Sequence, residues 1–264
     1  TLSYEKTPDQ MTISSLSAHE NTLLIMFWNT LQQSLQNINK NLTEVNGHFI
    51  LDNNIQIGGG LGFSAALCVV ITRWLIWSHW LSQKKLFPFA QHLENIFHGK
   101  SSGADIAGAL SDYLVHFDQS GSVHEIHVHW QPRLYLSYTG VTKVTETSIN
   151  QVKKINQQYP KRARVINKEM RESVHMIEDA LNVDEQHGLS LLASAIEHAH
   201  HCFEEWELIT PEIQKHIDQL YAAGAIAVKP TGAGAGGYLL SLWENTPPAT
   251  LPFELIPVVV PEHI

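Results

Sequence analysis

The sequence predicts an α+β fold in two parts, and three observations carry that prediction. Short apolar runs bracketed by Gly, Pro and Asn alternate with longer stretches whose apolar residues return at the helical period. A glycine turn, Gly58–Gly62, stands between one such run and the strongly apolar segment Ser64–Leu81. Beyond residue 145 the texture turns mainly helical before strands return near the end. The division is accordingly drawn at 1–145 and 146–264.

The elements follow in order. His48–Ile57 alternates loosely and reads as a strand, and Ser64–Leu81 as a helix opened by Ser64, a residue type favoured at helix starts. Phe89–Phe97 is helical, and Asp105–Leu110 begins another helix with Asp105 near its N-terminus. Tyr113–Phe117 and His124–Trp130 read as strands joined by a turn at Gln119–Gly121, and Arg133–Tyr138 as a further strand. Thr147–Ile155, Lys161–Asn182 and Gly188–Trp206 carry the helical period, the last with a stripe of Leu191, Leu192, Ala195 and Ala199. Thr210-Pro211 opens a helix over Pro211–Ala223, closed by Gly224. Ala225–Lys229, Tyr238–Trp243 and Phe253–Val260 are strands.

Composition narrows the function classes. The chain has 264 residues, of which 44% are hydrophobic, enough for one large core or two modest ones. A net charge of −9 argues against a broad nucleic-acid surface, which needs a basic face. An anionic ligand would have to be met by local cations or backbone N–H groups. The 2 cysteines, Cys68 and Cys202, sit in apolar helical surroundings, so no disulfide framework is expected and a reducing cytoplasm is the default compartment. The longest apolar run, Ala65–Trp77, contains Thr72 and Arg73 and is too short to span a bilayer, so no membrane partner is expected. The 16 histidines show neither HExxH nor Cys/His ligand spacing. His127 and His129 share a strand face and His198, His200 and His201 a helix, and ordinary surface or packing roles are expected of them. Trp74, Trp77 and Trp80 read as core or interface residues.

Three segments carry chemistry. GGGLGFSAA, Gly58–Ala66, places a tight turn between a strand and a helix, where backbone N–H groups and the helix N-terminus converge on one spot suited to phosphate. HGKSSGAD, His98–Asp105, ends on a carboxylate at a helix start, which taken alone reads as a helix N-cap. KPTGAGAGG, Lys229–Gly237, is a second glycine turn. The dinucleotide fingerprint fits both turns poorly, since no acidic residue follows at ribose distance and the second turn leads into a strand. A Walker A loop is absent.

In this order the three segments resemble the signatures of the GHMP small-molecule kinases, over roughly Gly58–Tyr238, and their wording is most similar to that of mevalonate kinases. The resemblance implies a nucleotide-binding N-terminal part like ribosomal protein S5 domain 2 and a ferredoxin-like C-terminal part. It implies ATP and Mg²⁺ as cofactors and a small-molecule alcohol, mevalonate first, as substrate, with a homodimer allowed for. By the same resemblance Gly58, Gly59, Gly60, Leu61, Gly62, Phe63, Ser64 and Ala65 wrap the triphosphate, and Gly232, Ala233 and Gly234 buttress that loop. Ser64 and Glu94 match the magnesium ligands, Asp105 the general base, and His98, Ser102 and Gly103 the acceptor side, which Tyr138–Thr147 also borders. Such an allocation suits phosphoryl transfer, which asks a protein mainly for positioning and charge neutralisation.

Two departures stand out. Phe63 occupies a position usually held by a small serine. The family's N-terminal lysine strand is not found, Lys6 lacking its glycine-glutamate context. Because the chain opens with Thr1 rather than Met, the expectation is that this strand precedes it. The alternatives are a phosphomevalonate kinase, which the Lys-Pro before TGAG also resembles, and more weakly a diphosphomevalonate decarboxylase. A different class is a nucleotide-binding or interaction protein of the same fold without catalysis.

Overall fold

The computed structural model describes residues 1–16, 20–118, 120–142 and 145–260. By internal contact the chain forms two compact units, Thr1–Gln56 with Gly62–Leu110, and Ile57–Leu61 with Ser111–Ile264. The short segment Ile57–Leu61 thus packs with the second unit although its neighbours on both sides belong to the first.

The first unit begins with β1 (Leu2–Gln10), β2 (Thr12–Ser15), α1 (Glu20–Asn37) and β3 (Asn46–Leu51). In its sheet the order is β1-β3-β2, with β1 antiparallel and β2 parallel to β3. The sequence reading assigned no element before the strand at His48. The pattern of β1 is polar and contains Pro8, a combination that reads against a central strand but is tolerated at the sheet edge β1 occupies. Helix α1 buries Leu23, Phe27, Leu31 and Leu35 along one stripe, and the Phe27 ring meets Phe49 of β3 at 5.2 Å.

Strand β3 stops at Leu51 rather than Ile57. Asn53 accepts the Ile55 N–H at 3.1 Å in a side-chain-to-backbone turn, a competitor to strand pairing. Helices α2 (Phe63–Trp77), α3 (Leu86–His98) and α4 (Ala104–Leu110) complete the unit. Helix α2 ends at Trp77, not Leu81, because His79 adopts a left-handed conformation (φ 61°). The Trp80 N–H then closes on Leu75 O at 3.0 Å and the His79 N–H on Ile76 O at 3.0 Å, satisfying the last carbonyls. Trp74 is buried in this unit, whereas Trp77 is 61% exposed.

The second unit contains the hairpin β4 (Val115–Phe117) and β5 (Val123–Glu125), strand β6 (Arg133–Tyr138), helices α5 (Thr145–Gln158), α6 (Pro160–Leu181), α7 (Glu185–Glu205) and α8 (Pro211–Ala222), and strands β7 (Ala227–Pro230), β8 (Tyr238–Trp243) and β9 (Ile256–Val258). Strands β6 to β9 form an antiparallel sheet in the order β7-β8-β6-β9. The expected strand His124–Trp130 is only half realised. Its alternation is real, since Ile126, Val128 and Trp130 are buried while His127 and His129 are exposed. Yet beyond Glu125 its backbone leaves the ladder, and the His129 N–H bonds Leu181 O at 2.9 Å instead. Gln119, in the expected turn, lies outside the described residues.

Helix α8 begins with Thr210 as its N-cap and Pro211 in its first turn. It ends in a Schellman closure, Ala225 N–H to Leu220 O at 3.0 Å and Gly224 N–H to Tyr221 O at 3.0 Å. It is pinned to the sheet by a buried polar pair, His216 Nε2 and Ser137 Oγ at 2.9 Å, with the imidazole stacked on Phe253 at 4.1 Å.

Burial holds the His216 pKa below its ordinary 6.5. The unfolded chain therefore binds this proton at higher pH than the folded one. The stability supplied by the neutral ring is complete above about 6.5 and is lost as pH falls through the folded-state value. Urea midpoints measured from pH 7.5 to pH 5 should fall for the parent chain and fall less for His216→Gln. Equal losses in both would show that this ring does not carry the acid sensitivity.

Candidate active site

The site residues of the first unit gather where α2, α3 and α4 meet. Helix α2 is capped by Gly62, whose φ of 69° and ψ of 25° are left-handed, and the cap residue itself offers no side chain to the first N–H groups. This corrects the expectation that Ser64 opens the helix: Ser64 lies inside the first turn and is half-buried. A glycine cap supplies the sharp entry into the helix. Phe63 is 8% exposed, so its bulk is taken up inside the protein. Asp105 lies in the first turn of α4, and its Cβ would come 3.9 Å from a methyl group placed on Gly62. The carboxylate arm of the HGKSSGAD loop thus stands beside the cap of α2.

Glu94 is 1% exposed on α3, so its carboxylate is buried rather than on the solvent face of the helix. Its Oε2 accepts a hydrogen bond from Ser101 Oγ. Its charge adds to burial in pushing the Cys68 thiol up to about 12. Cys68 is one turn past Ser64 on α2, which packs against α3, the helix that carries Glu94. A carboxylate removed from water in this way costs several kcal/mol unless hydrogen bonds or a cation offset it.

The loop itself is locked by short-range bonds. The Ser101 N–H reaches Asn95 Oδ1 at 2.6 Å, the Gly103 N–H reaches Ser101 Oγ at 3.0 Å, and the Ala104 N–H reaches Ser102 Oγ at 3.2 Å. Ser101, not singled out in the sequence, is the serine that touches Glu94, while Ser102 is exposed. Two adjacent serines give no signal of which one turns inward; the loop backbone decides. His98 closes α3, and its side chain lies outside the described residues.

In the second unit the other glycine residues meet backbone to backbone. The Tyr238 N–H bonds Gly59 O at 3.0 Å, and a Cβ on Gly237 would stand 2.3 Å from that oxygen. Only glycine fits there. The Gly237 N–H bonds Val141 O at 2.7 Å, and Thr139 Oγ1 bonds Gly237 O at 2.8 Å. Gly232 likewise approaches Gly60, and Ser148 Oγ bonds Gly234 O at 3.3 Å. The third motif therefore brings Gly232–Gly237 directly against Gly59 and Gly60. Residues 143–144, within the expected acceptor border Tyr138–Thr147, lie outside the described residues.

Lys229, on β7 just before this motif, is a cation held in poor solvent. Its Nζ donates to Pro230 O at 3.1 Å and lies 5.9 Å from the Phe203 ring centre, and burial lowers its pKa to about 8. The sequence showed the Lys-Pro pair but not its burial. Lys6 is exposed on the edge strand β1.

Among the described residues no helix is long and apolar enough to cross a membrane. Residues 25–112 match the GHMP kinases N terminal domain. The chain is similar to a mevalonate kinase of Pyrococcus horikoshii, 26% identical over 199 residues, which cover 73% of this chain and 58% of that protein. A mevalonate kinase of Aeropyrum pernix is 26% identical over 203 residues, 74% of this chain and 60% of that protein. The chain thus spans less than two thirds of the length of these relatives. In fold it is similar to L. major mevalonate kinase in complex with R-mevalonate, with a TM-score of 0.71 at 20% identity, covering 93% of this chain and 77% of that one. It is also similar to Streptococcus pneumoniae phosphomevalonate kinase in complex with phosphomevalonate and AMPPNP, with a TM-score of 0.65 at 20% identity, covering 93% and 82%. Residues 25–112 thus carry a GHMP kinase N-terminal domain, and the chain has the α+β fold of these kinases.

Proposed function

We propose that the chain is part of an ATP-dependent small-molecule kinase that phosphorylates an alcohol, with mevalonate as acceptor. The observation that carries the reading is the buried Glu94 of α3, a helix packed against α2, whose start has a left-handed glycine cap with Asp105 beside it. In this reading Gly58–Ala65 wrap the triphosphate, with Gly232, Ala233 and Gly234 behind the loop. The N–H groups at the start of α2 meet phosphate oxygens. The residues fit Mg²⁺, a hard cation that takes oxygen ligands: the Ser64 hydroxyl and the Glu94 carboxylate would hold it. Bound there, the ion supplies neutralisation of phosphate charge.

Asp105 has the role of general base, accepting the proton of the acceptor hydroxyl as the phosphoryl group arrives. Placement at the start of α4 and beside the cap of α2 favours its ionised form through two helix dipoles. His98, Ser102 and Gly103 border the acceptor. The reading includes the family's domain scheme, a nucleotide-binding part over 1–145 like ribosomal protein S5 domain 2 and a ferredoxin-like part over 146–264, and a cytoplasmic location. The mevalonate kinases to which the chain is similar support mevalonate over other alcohols. The Lys229-Pro230 pair keeps phosphomevalonate as the second acceptor.

Coupled ADP release from the intact gene product, screened with mevalonate, phosphomevalonate, homoserine and sugars, tests the acceptor. Turnover of mevalonate is expected. Turnover of phosphomevalonate alone would move the assignment to the second acceptor, and nucleotide binding without turnover of any of them would favour the non-catalytic class.

Ser64→Ala should lower kcat by about 10²-fold through loss of one electrostatic contributor, with the midpoint of thermal unfolding little changed. A normal rate and normal magnesium dependence would remove Ser64 from the metal site.

Asp105→Asn keeps size and helix-start hydrogen bonding but loses the basic oxygen. It should fold, retain ATP binding by calorimetry, and turn over about 10²–10⁴-fold more slowly. Parental turnover in this variant would reduce Asp105 to a helix cap.

A further inference from the structure

The histidines carry no metal signature in sequence, yet the second unit brings two of them from distant segments to one carboxylate. His116 lies on β4, while His175 and Glu178 lie one turn apart on α6. His116 Nδ1 is 2.6 Å from Glu178 Oε1, and His175 Nδ1 is 3.2 Å from Glu178 Oε2. All three ligand-capable atoms fall within 4.8 Å of one another. The His116 and His175 rings stand edge to face with centroids 5.6 Å apart. His124, which pairs with His116 across the β4–β5 hairpin, has its ring centroid 6.4 Å from that of His116.

We infer that His116, His175 and Glu178 form a binding site for a divalent transition-metal ion of the zinc type, separate from the kinase machinery. Imidazole nitrogen and carboxylate oxygen are ligands zinc takes at about 2.0–2.2 Å, which in a tetrahedron separates ligand atoms by about 3.4 Å. The His175–Glu178 separation of 3.2 Å lies near that value, while the His116–Glu178 pair, at hydrogen-bond distance, has to open from 2.6 Å by rotation of the two side chains. Water or His124 completes the fourth position. Two imidazoles select against Mg²⁺, which prefers oxygen alone. Without metal, each imidazole donates an Nδ1–H to the carboxylate. Metal binding through Nδ1 requires each ring as the neutral tautomer protonated at Nε2, so a neutral ring exchanges its Nδ1 proton for one at Nε2 and only a charged ring gives up a proton to solvent. The side chains of His116 and Glu178 are 19% and 24% exposed and form the floor, while that of His175, at 65%, leaves the site open to solvent. An ion here would cross-link the β4–β5 hairpin to α6, elements far apart in sequence, and stabilise the folded chain by an amount that grows with the logarithm of metal concentration above Kd.

The test is equilibrium dialysis of the chain, carrying no histidine tag, against ZnCl₂, with CoCl₂ titrated in parallel for the visible absorption of tetrahedral cobalt. One tight equivalent is expected for the parent. His175→Ala, which removes an exposed side chain and spares the core, should weaken it at least tenfold and abolish the cobalt bands, since even residues behind a metal ligand are worth 10–100-fold. Glu178→Gln should do the same, and His201→Ala, on α7, should leave binding unchanged. Parental affinity in His175→Ala, no tight equivalent in the parent, or loss of binding only in His201→Ala would each overturn the site and leave a carboxylate bridged by two imidazole protons. Should Glu178→Gln fail to fold, His175→Ala decides alone.

Discussion

The glycine turn at residues 57–61 is held by direct backbone contact with the third glycine motif, and the arrangement of the site depends on it. The Tyr238 N–H to Gly59 O bond of 3.0 Å brings two main chains so close that position 237 admits no side chain. That approach accounts for glycine in two motifs far apart in sequence. It also explains why residues 57–61 pack with the second unit while the flanking chain belongs to the first. The turn must then re-enter the first unit abruptly, and the left-handed Gly62 makes that entry.

A second constraint is electrostatic. Glu94 is buried in the first unit, where an ionised carboxylate is costly. Ser101 supplies a hydrogen bond to it, and the loop that carries Ser101 is fastened in turn by Asn95. Cys68, one turn from Ser64, registers the same charge through its raised pKa. Burial of this kind lowers stability in isolation and makes sense where a cation is to be bound, which is why Glu94 rather than a surface carboxylate anchors the functional reading.

The second unit uses neutral and weakly charged polar groups for a different end. His216 with Ser137 ties α8 to the sheet, and His116 with Glu178 ties the β4–β5 hairpin to α6. Both join elements distant in the chain, and in both an imidazole fills a partly buried position that a permanently charged side chain would fill at greater desolvation cost.

Much of the fold was legible in the chain because its cause is local. The turns before α2 and in the third motif, Thr210-Pro211 at the start of α8, and the alternation of Ile126, Val128 and Trp130 are dictated by backbone freedom, capping chemistry and period, which neighbouring residues decide. The motif order likewise pointed to the kinase superfamily before any geometry. What only the tertiary structure decided is what depends on distant partners. Strand β1, polar and interrupted by Pro8, exists because β3 pairs with it. Ile126–Trp130 keeps its alternation but not its ladder, because Leu181 offers the carbonyl that a neighbouring strand would have supplied. Ser101 rather than Ser102 meets Glu94, Lys229 lies in poor solvent, and His116, His175 and Glu178 converge, none of which has a signature in sequence. Spacing along the chain sets local conformation; burial and proximity between remote segments are set by packing, and those two quantities decide charge state, ligand geometry and which of two like residues turns inward.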